Sequence, residues 1–229
     1  MPAQELSARQ QALLKIWNSQ DISELLQLMA EMRAARDPSL VQELVDEASR
    51  CEMVNPVLAN RLRQISKGLE HIHKLVDVFA LVKDMKGFVA CHHQSDLCWA
   101  PEFPRVIGGF MKDALHAQDA SLLSGLRTGL RIRTRAIRAV SCFQQIAKDA
   151  PETLSDLFDR EPLLCEPLFH QWLGLRADLA VRMGDASSSL ARTILEHLVH
   201  TCRLHEVLRT ASAHMTQDIC GKQVLPIWF

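Results

Sequence analysis

NPVLANRLRQISKGLEHIHKLVDVF, residues 55–79, decides the fold class. Its apolar residues Leu58, Leu62, Ile65, Leu69, Ile72, Val76 and Phe79 recur in alternating steps of four and three. That spacing lays one apolar seam along one side of an α-helix, whereas a half-buried strand would alternate every second residue. Asn55–Pro56 marks the start, because the Asn side chain can accept a first-turn N–H and proline at the first helical position has none to lose. Beyond this stretch Leu75, Val78, Val82, Met85 and Val89 form a second seam, rotated from the first. A helix that buries two sides touches neighbours on both, so this one is expected to be a central strut that continues to the neighbourhood of Gly87.

The rest of the chain repeats the helical signal. Asp21 precedes ISELLQLMAEMRAAR with Glu24 three residues on, the spacing of a capping box with Asp in the cap position. Asp37–Pro38 opens SLVQELVDEASRC, and Asp185 with the serines after it opens SLARTILEHLVHTCRLHEVLRTASAHM. Gly87 to Arg105 breaks the pattern with Trp99, Pro101 and Pro104, and residues 95–104 read as a connection. Further helices are expected from about Pro104 to Ala117 and from Ala120 to Ala150, with a short one starting at Pro151–Glu152. LLCEPLFHQWLGLRADLAVRM (163–183) is expected to form one more helix after Glu161, and the closing GKQVLPIWF reads as irregular. Tyr is absent, no Asn-Gly or Asp-Gly turn occurs, and no fixed-period self-similarity is visible. The expected fold is all-α: an irregular antiparallel bundle of about seven to nine unequal helices with no repeat array. It forms one helical unit over residues 1–229, divisible into halves 1–94 and 105–229 joined by 95–104.

Composition excludes several function classes. The chain has 229 residues, 48% hydrophobic and 23% charged, with a formal net charge of -1. This suits a globular protein that buries a sizeable core, and it provides no overall field for nucleic acid or an acidic membrane, so any electrostatic argument must be local. Seven cysteines are scattered singly, at 51, 91, 98, 142, 165, 202 and 220, most of them within helical patterns. They read as reduced, buried thiols. MPAQELSARQQ lacks a basic start followed by an apolar run, and the apolar runs are far too short for a membrane span. A soluble, cytoplasmic protein is expected.

The candidates for chemistry are weak. CHHQSDLCW gathers Cys91, His92, His93 and Cys98, but zinc sites favour close ligand pairs, the chain has no Cys-x-x-Cys, and adjacent histidines point in different directions. A polar loop with a buried cysteine is the better reading, and no metal or other cofactor is expected. EHLVHTCRLHE holds Glu196, His197, His200, His205 and Glu206, with the histidines at i and i+3 rather than the i and i+4 of a zinc protease. On a helical wheel His205 falls among Leu190, Ile194 and Leu198, and His200 lies towards Glu196, so the set does not converge. No Gly-x-Ser-x-Gly elbow is present, and Gly108–Gly109 in IGGF reads as close helix packing or a kink rather than a phosphate loop.

The strongest local feature is LRTGLRIRTRAIRAV, residues 126–140, with five arginines and no acidic residue. In a helix, Arg127, Arg131, Arg135 and Arg138 fall within about 80° of arc, opposite an apolar side, while Arg133 stands in the apolar arc. No Asp or Glu occurs from Ala120 to Ala147, so this helix cannot compensate its own charge. Relief comes from carboxylates elsewhere in the chain, such as QELVDEAS or LFDRE, or from a ligand. The expected function is a non-enzymatic helical adaptor or regulator that binds an acidic protein surface through these four arginines. A nucleic-acid or phosphate ligand on the same face fits less well, for want of basic surface and aromatic platforms. A helical enzyme with a His/Cys site invisible to spacing is the other alternative. Elemental analysis of the purified chain is expected to find no stoichiometric zinc. One zinc per chain, lost in a Cys91→Ser/Cys98→Ser variant, would make CHHQSDLC a structural site.

Overall fold

The computed structural model of the chain describes residues 8–19, 21–184 and 188–222. Among these the chain forms ten α-helices and four short 3-10 helices, and no strand occurs. No described helix is long and apolar enough to cross a membrane. Packing divides the chain into two compact units, Met1–Arg133 and Thr134–Phe229. The first holds α1 (Ala8–Asn18), α2 (Ile22–Glu31), α3 (Ser39–Cys51), α4 (Pro56–Ala80), α5 (Met85–Gln94), α6 (Phe103–His116) and the start of α7 (Ala120–Asp149). The second holds the remainder of α7 with α8 (Leu154–Arg160), α9 (Pro167–Arg182) and α10 (Ser188–Lys222). Residues 95–104 lie within the first unit. The helix start read at Asp185 lies outside the described residues, as does the tail GKQVLPIWF apart from the two residues that close α10.

The caps act as their residue types dictate. Asp21 Oδ1 accepts Glu24 N–H at 2.9 Å, Asn55 Oδ1 accepts Leu58 N–H at 3.0 Å, and Asp37 Oδ1 accepts Ser39 N–H at 3.0 Å. In α4 the seam residues Leu62, Ile65, Leu69, Ile72, Val76 and Phe79 are all buried, and the helix packs along α3 while also meeting α1, α2 and α5. It is the strut of its unit.

Two expectations about helix ends are corrected. The strut does not run on towards Gly87: α4 stops at Ala80, and Asp84 starts α5 by accepting Gly87 N–H at 2.8 Å. The second seam crosses this break, with Val82, Met85 and Val89 buried, so the periodicity hid it. The stretch 163–183 likewise splits at Glu166, between a 3-10 helix (Pro162–Cys165) and α9. Pro167 disfavours the α conformation in the residue before it, and Glu166 is extended (φ -73, ψ 129). The first of these splits adds an α-helix, and the ten α-helices of the described residues exceed the expected seven to nine.

Two close approaches organise the first unit. Arg36, its side chain only 6% exposed, reaches from the 3-10 helix Arg33–Arg36 to Asp113 on α6, with Nε–Oδ2 at 2.6 Å, while Nη1 donates to the Met29 carbonyl at 2.6 Å. The guanidinium lies over Gly109, where a Cβ would come within 2.7 Å of it. Gly109 therefore serves packing, and Gly108 beside it faces open space. The second approach seats α7 on the end of α4. A Cβ on Gly125 would lie 2.0 Å from the Ala80 carbonyl oxygen, and one on Gly129 would lie 2.6 Å from the Phe79 ring.

In the second unit Phe143, Leu157, Phe158, Leu164, Phe169, Trp172, Leu173 and Leu198 are buried together. α9 and α10 pack side by side, and Asp178 pairs with Arg192 at 3.7 Å between them.

Gly125→Ala is expected to lower the free energy of unfolding by about 2 kcal/mol or more, because the backbone oxygen below it cannot swing aside. Gly108→Ala, on the same substitution chemistry but in open space, should instead stabilise by roughly 0.5–1 kcal/mol through helix propensity. Urea denaturation of the two variants beside the parent measures the contrast.

Candidate functional site

α7 turns its two glycines towards α4, and Arg127 and Arg131 lie about 200° around the helix from them. Both arginines are exposed, as are Arg135 and Arg138 further along. A surface groove of about 380 Å³ runs along Ala120, Leu123, Ser124, Arg127, Thr128 and Arg131. Its lining combines two guanidinium groups, two hydroxyl-bearing residues and one leucine. Asp119 begins the helix by accepting Leu122 N–H at 2.9 Å.

The four arginines do not share one fate. Arg135 is taken by Glu161, which accepts from Nη2 at 2.6 Å and from Nε at 3.1 Å. Glu161 belongs to LFDRE, one of the two acidic stretches considered as internal compensation. Among the described residues, ion pairs engage Arg33, Arg36, Arg50, Arg63, Arg135 and Arg192 but not Arg127, Arg131 or Arg138. Arg133, in the apolar arc, is only partly exposed, and its positive charge lies close enough to act on both His92 and Cys98.

The Cys91–His93 and Cys98 group does not converge on a common point. Cys91 and Cys98 bring their sulfurs to 3.6 Å, both fully buried. His92 is 3% exposed, shares a hydrogen bond between Nδ1 and the Phe88 carbonyl at 2.9 Å, and lies between the rings of Phe88 and Trp99 at 4.2 and 4.6 Å. His93 is exposed. Among the described residues no group of three or more His, Cys, Asp or Glu is placed to hold a metal ion. Burial pulls the His92 imidazolium down to about pKa 4, and Arg133 adds to the effect. The hydrogen bond with the Cys91 sulfur, and then burial, push the Cys98 thiol up.

On α10, His205 is the histidine that gains partners. Its Nδ1 is 3.1 Å from Ser155 Oγ and its Nε2 3.4 Å from Asp159 Oδ1, with the ring 5.4 Å from that of Phe158. Ser155 and Asp159 stand one turn apart on α8, so that helix holds both ring nitrogens. Hydroxyl, imidazole and carboxylate in series are the parts of a proton relay, but hydrolysis by such a relay also needs donors preorganised around an oxyanion. Ser155 and Asp159 are both on the exposed side of α8, and the arrangement as it stands ties α10 to α8. The i and i+4 spacing of Ser155 and Asp159 is in the sequence. Their meeting with a residue some fifty positions away is not. His197 rests against the Phe143 ring, and His200 is exposed.

Comparison of the chain with models of known protein families, with curated proteins and with solved structures finds no match.

His92 makes the first unit sensitive to acid. Its pKa is about 4 in the folded chain and near 6.5 when unfolded, so between those values the unfolded chain holds more protons. Stability present in full above pH 6.5 is lost as pH falls towards 4, by on the order of 3 kcal/mol in all. Urea titrations from pH 7 to 4.5 should show this decline, and His92→Leu should flatten it.

Proposed function

We propose that the chain is a non-enzymatic adaptor or regulatory protein that binds a protein partner, with Arg127 and Arg131 receiving carboxylates of that partner. The single observation behind this reading is the groove along α7. It carries two arginines that no described carboxylate engages, beside the Thr128 hydroxyl, which donates to the Ser124 carbonyl at 3.0 Å and keeps its lone pairs for a donor. The guanidinium fork takes a carboxylate through two parallel hydrogen bonds, and arginine is enriched where binding energy is concentrated.

Among the described residues the groove lining contains no aromatic side chain. Single-stranded nucleic acid uses stacking platforms beside its cationic surface, and a chain of net charge -1 has little long-range attraction for any polyanion. A folded acidic surface, or an acidic segment that orders on the groove, suits it better. Cytoplasmic residence accords with the described cysteines being free thiols.

Arg127→Glu/Arg131→Glu is expected to leave the unfolding midpoint in urea nearly unchanged, because exposed charges contribute little to stability. The same double variant should fail to retain a partner that the parent retains from native lysate. Arg127→Lys/Arg131→Lys should retain it partially, since charge survives and the fork does not. A glutamate variant that unfolds would show the arginines to be internal supports. A labelled oligonucleotide shifted by the parent with a steep salt dependence would favour nucleic acid instead.

A further inference from the structure

Four of the six described cysteines lie in two thiol pairs, one pair in each compact unit. The pairs differ in access. Cys91 and Cys98 are 1% and 0% exposed, and no solute reaches them without opening the unit. Cys165 is partly exposed at the end of its 3-10 helix, immediately before the Glu166–Pro167 break, and Cys202 is buried behind it on α10. The two sulfurs are 3.3 Å apart, with the Cys165 thiol donating to Cys202 and the Cys202 thiol 3.2 Å from the Leu164 carbonyl.

We propose that Cys165 and Cys202 form a redox modification site, which a low-molecular-weight disulfide such as oxidised glutathione converts into an intramolecular disulfide. A disulfide bond is about 2.05 Å long, so the sulfurs have little more than 1 Å to close, within the play of a side-chain torsion. The partly exposed Cys165 is the entry thiol. Its thiolate attacks one sulfur of the glutathione disulfide, giving a mixed disulfide and releasing one glutathione thiolate, which takes up the proton that Cys165 lost. Cys202 then gives up its proton and attacks the Cys165 sulfur, forming the internal bond and expelling the second glutathione as thiol. Two protein thiols are oxidised, one glutathione disulfide is reduced to two thiols, and the protons balance.

The bond would join the segment just before α9 to α10 near its middle. It would therefore staple the α9–α10 pair at the end away from its connecting turn. Burial raises both thiols above the usual cysteine range, most strongly Cys202, so the closing rate should climb about tenfold per pH unit between pH 7 and 9.

The test uses the full chain, incubated with oxidised glutathione, alkylated and mapped by peptide mass. The expected product is the Cys165–Cys202 cross-linked peptide, with Cys91 and Cys98 still alkylated as thiols under denaturing quench. In Cys202→Ser, the resolving thiol is gone and one glutathione adduct should accumulate on Cys165. In Cys165→Ser, both cross-link and adduct should vanish, which also serves should the buried Cys202→Ser variant not fold. A stable glutathione adduct on Cys165 in the parent chain would overturn the proposal, as would oxidation of Cys91 and Cys98 ahead of this pair.

Discussion

The contact between Gly125 and the Ala80 carbonyl is the constraint on which the first unit turns. An α-helix ends in carbonyls without intrahelical partners, and another helix can approach them closely only where it carries no side chain. α4 ends at Ala80, and α7 meets that end with Gly125 and the Phe79 ring with Gly129. The four-residue spacing of the glycines puts both on one face, so the seat fixes the rotation of α7 as well as its distance. Once that rotation is set, Arg127 and Arg131 have one place to go, and it is solvent. The charged face results from where the small residues are.

Arg36 and Asp113 work by a different principle. A buried ion pair gives little net stability, because desolvating both charges offsets their attraction, but removing one partner leaves the other stranded at a cost of roughly 3–5 kcal/mol. Asp113 receives two bonds from the Arg36 fork, and the Met29 carbonyl takes a third donor, so the guanidinium is well satisfied for its depth. The result is directional. α6 can pack against α2 and the 3-10 helix Arg33–Arg36 only in the register that brings Asp113 to the fork and Gly109 beneath it.

The legible part of this fold is what local periodicity and capping encode. The seam of α4, the Asn55 and Asp21 caps and the length of α7 follow from residues within a few turns of one another. The breaks at Leu81 and Glu166 were harder to read because apolar spacing continues across both, and only Asp84 and Pro167 mark them. For the arginines, the shared face was readable and the partition was not. LFDRE could be named as an acidic stretch, but that Glu161 lands on Arg135 and on none of the others depends on how α8 packs. The glycine seat had a visible half, two glycines four apart, while its other half lies some fifty residues earlier. The meetings of Ser155 and Asp159 with His205, and of Cys165 with Cys202, belong to the same class: pairs made by tertiary structure, which no spacing announces.

The separation of seat and display on α7 has an evolutionary consequence. Changes among the exposed arginines alter the charge that the helix presents while leaving its attachment intact, so that face can be rewritten one residue at a time without passing through unfolded intermediates. The glycines have no such freedom. A diverged relative would therefore be recognised by small residues at the two seat positions above the same helix end, long after the pattern of charge had changed beyond recognition.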